Sequence, residues 1–176
     1  MKDDPLTDIL TLASARCVEV GVLIAGGSWA LRFPPPNRIK FVAVVRGSCW
    51  LSLEGQVVPR RIQAGDVFVL PAERAFVLAG ELSARPVDGL KLFADVTEKI
   101  ATVGNGNDFF AVGAHLALNA ARGELLSDVL PPLIHIGSGS SEASAMQWLL
   151  DQLAVVLSTP EFLPRCTTLV VIPTLA

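Results

Sequence analysis

The sequence contains few of the side chains that bind metals, form disulfides or act as nucleophiles. It has only two His and three Cys in 176 residues. Cys17, Cys49 and Cys166 lie far apart and form no Cys-x-x-Cys pair, which favours reduced thiols over a disulfide framework or a zinc site. Cysteines of this kind are most often small core residues. The sequence also lacks a Gly-x-Ser-x-Gly nucleophile elbow, so nucleophilic catalysis has no support.

Basic charge is scarce as well. Only 18% of the residues are charged, the formal net charge is −3 and the sequence pI is about 5.3. The densest basic segments are short: "NRIK" at 37–40 and "PRRI" at 59–62. Since proteins that bind nucleic acids usually concentrate Lys and Arg against the phosphates, direct DNA binding by this chain alone is not expected.

Long apolar runs are also absent. The mean hydropathy is high, at +0.51, yet no apolar stretch approaches the ~20 residues that a membrane-spanning helix needs. The first ten residues, "MKDDPLTDIL", are acidic and contain no apolar signal-peptide core. We therefore expect a cytoplasmic protein without a membrane partner.

The pattern that is present predicts a mainly β protein. Residues from about 17 to 115 contain short β-prone runs, such as "IKFVAVVRG" and "DVFVLP", separated by Gly, Pro and Asn. Strands at intervals of about 8–12 residues favour a sandwich or a barrel. The segment 89–108 is less regular, and we expect it to hold one strand and a loop.

Helical patterns flank this β region. Asp4 and Pro5 resemble the cap and first position of a short N-terminal helix. After residue 118 the apolar period becomes helical, first at 120–130 and then from about 141 to 158. We predict one domain with a barrel at 1–118, two C-terminal helices at 119–158 that pack on the barrel and dimerise, and an irregular tail at 159–176.

The spacing of turn residues is similar to that of cupin (jelly-roll) barrels. One cupin motif reads Gly-x5-Pro-x-Gly-x2-His-x3-Asn, and Gly65 and Pro71 fit its first two positions. The other motif ends in a Gly that Gly47 matches. The turn residues of the scaffold are thus present.

The metal ligands of these motifs are absent. At the positions that the resemblance assigns to metal-binding residues, the chain has Lys40 for the Glu, "FPPP" at 33–36 for the His pair and Phe76 for the last His. An ammonium group, a phenyl ring and prolines do not bind divalent metals. His115 and His135, twenty residues apart, make only a weak metal pair, and a histidine near an apolar strand is more often a core or rim group. We therefore expect no metal or other cofactor.

Several segments together resemble the N-terminal, effector-binding cupin domain of AraC-type bacterial transcription regulators. They are "DPLTDIL", "IKFVAVVRGSCWLSLEG", "AGDVFVLPAERAFVLA" and "LLSDVLPPLIHI" followed by "WLLDQLAVVL", in that order over residues 4–158. The resemblance implies sensing of an unknown small-molecule effector and homodimerisation. Such regulators continue into a DNA-binding domain with two helix–turn–helix motifs, whereas this sequence stops at residue 176. A truncated gene, a frame-shifted end and a stand-alone sensor are all compatible with this, and DNA binding does not carry over.

The resemblance and the strand alternation suggest a ligand site inside the barrel. If Lys40 occupies the metal-Glu position it faces the lumen, and alternation places Arg46 there too. Arg46 also matches an Arg that reaches into the pocket of effector-binding relatives; the alternative is a rim ion pair with Glu54 or Asp66. The remaining candidates for the ligand site are Phe76, Trp29, Trp50 and His115, and core packing is the alternative for the three aromatic residues.

The predicted helix at 142–158 carries a wide apolar stripe. Its members are Met146, Leu149, Leu150, Leu153, Val156 and Leu157. We expect this stripe to form the homodimer interface, the alternative being that it packs entirely within one monomer. The function expected is a non-enzymatic, metal-free sensor domain. The alternatives are a structural or dimerising remnant that binds no ligand and a metal-dependent cupin enzyme.

Overall fold

The structure, a computed structural model, describes residues 16–71, 74–94, 99–117 and 130–139. The predicted N-terminal helix, both predicted C-terminal helices and the tail lie outside these ranges, apart from residue 130. The described part is mainly β, as predicted. It contains strands β1 (Arg16–Gly26), β2 (Ala30–Phe33), β3 (Ile39–Arg46), β4 (Ser48–Leu53), β5 (Arg60–Gln63), β6 (Val67–Leu70), β7 (Phe76–Ala79), β8 (Val87–Asp88), β9 (Ile100–Gly104), β10 (Phe109–Ala117) and β11 (Ile134–Ile136), and one helix, α1 (Gly89–Ala94).

The strands form two sheets. Within the described ranges, a six-stranded sheet has the order β11-β6-β3-β10-β1-β9, and a five-stranded sheet has the order β5-β4-β7-β2-β8. Most neighbours are antiparallel, but β9 runs parallel to β1 and β8 runs parallel to β2. Antiparallel sheets that bury one face each are the expected form of a closed β-sandwich or barrel.

The core lies between the inner faces of the two sheets. In β4, buried and half-buried side chains alternate along the whole strand, as a strand with one inward face requires. The fully or nearly fully buried residues of this core include Leu23, Ala25, Leu31, Val42, Val44, Leu51, Ile62, Phe68, Leu70, Phe76 and Phe109. A second, smaller apolar group on the other side of the six-stranded sheet contains Ala43 and Val67.

Two of the turn glycines explain why the predicted scaffold holds. Gly47, between β3 and β4, has φ +79° and Gly65, before β6, has φ +88°. A Cβ atom at residue 47 would also overlap the carbonyl oxygen of Asp108. Both positions therefore favour glycine, which adopts positive φ without steric cost.

The segment predicted as one strand and a loop contains a helix as well. Asp88 caps α1, because its Oδ1 accepts hydrogen bonds from the backbone N–H groups of Leu90 (2.9 Å) and Lys91 (3.2 Å). The helix packs at the end of β2, where Gly89 lies against the ring of Phe33. It therefore covers one end of the space between the sheets, and β9 follows it.

Candidate functional site

The space between the sheets contains a cavity of about 100 Å³ at the end covered by α1. Its walls are mainly apolar and come from both sheets and from the helix. The lining residues are Glu19, Val20, Gly21, Leu23, Phe33, Lys40, Val42, Leu78, Leu90, Phe93, Lys99, Ala111, Gly113 and His115. A volume of this size accommodates several water molecules or a small organic molecule.

Two glycines explain why the cavity exists. Gly21 on β1 and Gly113 on β10 are direct cross-strand partners, and both line the cavity. Neither has a side chain to fill the space in front of the sheet. A Cβ atom at Gly21 would lie 3.1 Å from the ring of Phe93, and one at Gly113 would lie 3.7 Å from Lys40 Nζ. The cavity thus begins where the six-stranded sheet presents backbone instead of side chains.

A row of polar side chains lies next to this glycine pair. Lys40 on β3 is the cross-strand partner of His115 on β10, and His115 is the partner of Glu19 on β1. Lys99 precedes β9, the next strand of the sheet. Strand pairing therefore brings together four residues that are up to 96 positions apart in the sequence, since cross-strand partners place their side chains side by side.

The four side chains form a connected series. Lys99 Nζ lies 3.1 Å from Glu19 Oε1, Glu19 Oε2 lies 3.4 Å from His115 Nδ1, and His115 Nε2 lies 3.4 Å from Lys40 Nζ. Lys99 and Glu19 are each 49% exposed, whereas the His115 side chain is 22% exposed. The series thus leads from the solvent to the inside of the cavity, where Lys40 lies.

Lys40 places a basic group in an apolar environment. Burial lowers its pKa to about 8, and the nearby carboxylate of Glu19 opposes this only in part. Its Nζ also lies 5.6 Å from the centre of the Phe33 ring, within the range of a cation–π interaction. The amine is therefore less hydrated and more easily deprotonated than that of a surface lysine.

The neighbours of His115 determine its tautomer. Burial, together with the charge of Lys40, lowers its pKa, so the ring is neutral at neutral pH. The Glu19 carboxylate beside Nδ1 favours the tautomer that carries the proton there. Nε2 is then an acceptor that faces the Lys40 amine. Glu19 remains ionised, because the hydrogen bond from Lys99 lowers the pKa of its carboxyl group.

Of the residues predicted for the ligand site, the structure brings Lys40 and His115 together at the cavity. The Phe76 side chain is 1% exposed, and its ring stacks on the Phe33 ring with 4.9 Å between the ring centroids. This arrangement is the core-packing alternative. Trp29 is also buried, and its ring packs against the Phe109 ring with 5.1 Å between the ring centroids. Neither Phe76 nor Trp29 lines this cavity.

Trp50 faces away from the lumen. It alternates with the buried residues of β4, is only half-buried, and has the Arg61 guanidinium 5.4 Å from its ring centre. The prediction that it walls a barrel pocket is wrong, because the inward positions of β4 are the odd-numbered ones on either side of it.

The predicted orientation of Arg46 is also wrong. In β3, Val44 pairs with Ala111, and Arg46 pairs with Phe110, which is next to Ala111 in β10. Val45 therefore is an extra residue in β3, without a partner of its own in β10. Such a β-bulge shifts the alternation by one position. Arg46 consequently lies on the outer side with its partner and is exposed.

Neither alternative ion pair of Arg46 is formed among the described residues. Asp66 instead accepts hydrogen bonds from the backbone of Ser138 and Gln63, and lies 3.1 Å from His135 Nε2. The carboxylate of Glu54 accepts a hydrogen bond from the backbone N–H of Ala75.

The side chains at the metal positions of the cupin motifs do not fit a metal ion. Lys40 offers an ammonium group, and the rings of Phe33 and Phe76 stack on each other. In the described ranges, no group of three or more His, Cys, Asp or Glu side chains could hold a metal. Cys49 is buried in the core, and burial raises the pKa of its thiol to about 12.

Several residues of the cavity were not predicted from the sequence. Glu19 belongs to it because β1 pairs with β10, and Lys99 because β9 pairs in parallel with β1. No local pattern indicates either pairing. Gly21 and Gly113 did carry a signal, because a glycine inside a strand often marks a site where another group approaches the backbone closely. Lys99 is also the one non-glycine residue with positive φ (+57°) in the described part of the chain.

Comparison with known proteins agrees with the resemblance. A cupin family model matches residues 4–162. A putative AraC-like transcription regulator of Streptomyces antibioticus is 39% identical over 167 residues, which cover 95% of this chain and 54% of that protein. A second such regulator, from Streptomyces lividans, is 39% identical over 150 residues, and the match covers 49% of that protein. The chain thus spans about half the length of the curated relatives it matches.

Solved structures show a loose likeness. ToxT of Vibrio cholerae with an unsaturated fatty acid bound aligns with 85% of this chain and 50% of its own at 13% identity and a TM-score of 0.43. YhaK of Escherichia coli aligns with 70% of this chain and 43% of its own at 9% identity and a TM-score of 0.41. In the described part of the chain, no helix is long and apolar enough to cross a membrane. With its family model matched over residues 4–162 and its regulator relatives matched over half their length, the chain belongs to the cupin family and resembles the cupin domain of AraC-like regulators.

Proposed function

We propose that the chain is the effector-sensing part of a transcription regulator and that the cavity between α1 and the six-stranded sheet binds the effector. The observation that carries this proposal is an apolar cavity with one partly buried amine, Lys40, at its polar end. Ligand sites are typically concave and apolar, with a few polar groups that fix orientation. Its similarity to named AraC-like regulators supports a regulatory, non-enzymatic role.

The cavity limits the chemistry of the effector. Phe33, Phe93 and Leu78 offer apolar contact, so most of the ligand is apolar. Lys40 can donate up to three hydrogen bonds, and one of its neighbours, His115, is already an acceptor for it. The ligand is therefore small and carries one group that accepts hydrogen bonds from Lys40 or bears negative charge.

A thermal-shift screen tests this proposal. Matched sets of short-chain carboxylates, aldehydes and alcohols are added to the purified chain, and a ligand present at a hundred times its Kd should stabilise the fold by about 2.7 kcal/mol. Gly113→Leu places a side chain in the cavity next to Lys40 and should abolish the response. Lys91→Met, at an exposed position of α1, should leave it unchanged. Stabilisation that persists in Gly113→Leu would contradict this location, and a chain that responds to no ligand would support the dimerising-remnant alternative.

We also propose that the chain is a cytoplasmic homodimer that does not bind DNA specifically by itself. The apolar stripe from Met146 to Leu157 supports the dimer, but it lies outside the described residues. The acidic composition and the shortage of basic clusters support the absence of DNA binding. A sequence-dependent gel shift with the purified 176-residue chain would contradict the second proposal.

A further inference from the structure

We propose that Lys40 captures its ligand covalently, as a reversible imine with a small apolar aldehyde. This inference rests on the proposed function, because it names the ligand class of the same cavity. The inference goes beyond the proposed function by assigning a bond-forming step to Lys40 and a proton-transfer role to His115.

The first argument is the position of the amine. Lys40 Nζ lies against the Phe33 ring and within 3.7 Å of the place where a Cβ of Gly113 would be. An aldehyde carbon in the space that Gly113 leaves open would therefore be next to Nζ. A lysine in an apolar pocket is an activated nucleophile, since burial favours the neutral amine that attacks carbonyl groups.

The second argument is the acceptor beside the amine. Glu19 favours the tautomer of His115 that carries the proton on Nδ1, and in that tautomer the lone pair of Nε2 faces Lys40 Nζ at 3.4 Å. This is the arrangement of a nucleophile with a base that a third group orients, in which a somewhat long distance is common before a ligand binds. Lys99 does not share this environment, because it is half-exposed and paired with Glu19 at 3.1 Å.

The chemical step balances without an oxidant or a reductant. His115 Nε2 accepts one proton from the Lys40 ammonium, and the neutral amine attacks the carbonyl carbon as the C=O π electrons move to oxygen. The oxygen takes the proton from His115 and then a second one from nitrogen, and it leaves as water. The ammonium and the aldehyde thus give a protonated imine and one water molecule, and hydrolysis reverses the step.

The experiment uses butanal as the probe and sodium cyanoborohydride to reduce any imine to a stable amine. The full chain is treated at neutral pH, and the modified residue is located by peptide mass spectrometry. The chain has four lysines, Lys2, Lys40, Lys91 and Lys99, so each can be scored in the same sample. We expect modification at Lys40 to be at least tenfold faster than at Lys91 or Lys99.

Variants separate a covalent site from mere binding. Lys40→Arg keeps a cation but cannot form an imine, so the adduct should disappear from the cavity. Lys91→Met, at an exposed position outside the cavity lining, should keep it. His115→Phe should slow its formation by about a hundredfold, the lower end of what general acid–base catalysis contributes, and His115→Gln, which retains an acceptor, should slow it less.

Two outcomes overturn the inference in distinguishable ways. If butan-1-ol and butanal both stabilise the fold but Lys40 is labelled no faster than Lys91, covalent capture is excluded and the cavity remains an ordinary binding site. If neither compound stabilises the fold and Lys40 is not labelled, covalent capture is excluded and the cavity also loses support as the site for such molecules.

Discussion

Lys40 keeps its ammonium group in an apolar cavity, and this placement lowers the free energy of unfolding by an amount that depends on pH. Burial lowers the pKa of Lys40 to about 8, from an ordinary value of 10.5. Between these two values the unfolded chain binds more protons than the folded chain, so stability rises with pH. The destabilisation by the buried ammonium group is fully present below about pH 8 and is lost above about pH 10.5.

The variant Lys40→Met should therefore be more stable than the wild type at pH 7. We expect a gain of about 1–3 kcal/mol in the free energy of unfolding, because each unit of pKa shift corresponds to about 1.4 kcal/mol and part of the side chain still contacts solvent. Urea unfolding at several pH values measures it. In the variant, the rise of stability between pH 8 and 10.5 should vanish, whereas the exposed Lys91→Met should retain it. Equal slopes in the wild type and Lys40→Met would show that the amine is hydrated.

Gly47 is a residue at which a single methyl group should be harmful. Its φ of +79° disfavours any side chain, and a Cβ would overlap the Asp108 carbonyl oxygen. We expect Gly47→Ala to lower the free energy of unfolding by about 1–3 kcal/mol. Gly139→Ala is the matched control, because nothing lies within 4 Å of its Cβ position. A thermal melt compares the two, and similar melting temperatures would contradict the steric argument.

At the scale of elements, β11 is held by three strand pairs and by one buried carboxylate. Asp66 is 3% exposed, and its oxygens accept hydrogen bonds from the backbone N–H groups of Ser138 (2.8 Å) and Gln63 (3.0 Å). His135, in β11 itself, lies 3.1 Å from the same carboxylate. Asp66 thus connects the turn before β6 with the segment that follows β11.

Removing this carboxylate should loosen β11 before it affects the rest of the barrel. We expect Asp66→Ala to cost about 2–3 kcal/mol, because two backbone N–H groups lose a charged acceptor. Hydrogen exchange should show faster exchange first at Ile134–Ile136. His135→Ala, which removes only the side-chain partner, should cost less. Uniformly faster exchange throughout β1 and β10 would instead indicate global destabilisation.

The strands that could be predicted are those with a strong local pattern. "CVEVGVLIA" and "DFFAVGAHLAL" correspond to β1 and β10, because long alternating runs between turn residues identify a strand without tertiary information. Strands β8 and β11 have only two and three residues and exist because a neighbouring edge pairs with them. No local signal marks such short edges.

The candidate site was predicted in part. The cupin spacing placed Lys40 correctly inside the barrel, since the positions from Lys40 to Val44 alternate regularly. The bulge at Val45 then reversed the alternation, so the same rule failed for Arg46 two residues later. Glu19 and Lys99 depend on which strands become neighbours, and this is a property of the whole sheet order rather than of any segment.

At the scale of the molecule, the proposed dimer can be tested through one side chain. Leu153→Glu would place a carboxylate in the apolar stripe of the helix predicted at 142–158, and burying an unpaired carboxylate is costly. Sedimentation at tens of micromolar should show a dimer for the wild type and a monomer for Leu153→Glu. The variant should keep its response to cavity ligands, because the barrel itself is unchanged. A monomeric wild type would exclude the dimer.

The edge position of β11 has a mechanical consequence. β11 pairs only with β6 among the described strands and is the last of them in the chain, so tension applied at residue 139 reaches the described strands first through β11. Three strand pairs and the Asp66 contacts would carry that load, whereas β1 and β10 share nine pairs deep in the same sheet. A pulling force would therefore detach β11 before the other strands and leave the cavity and Lys40 intact.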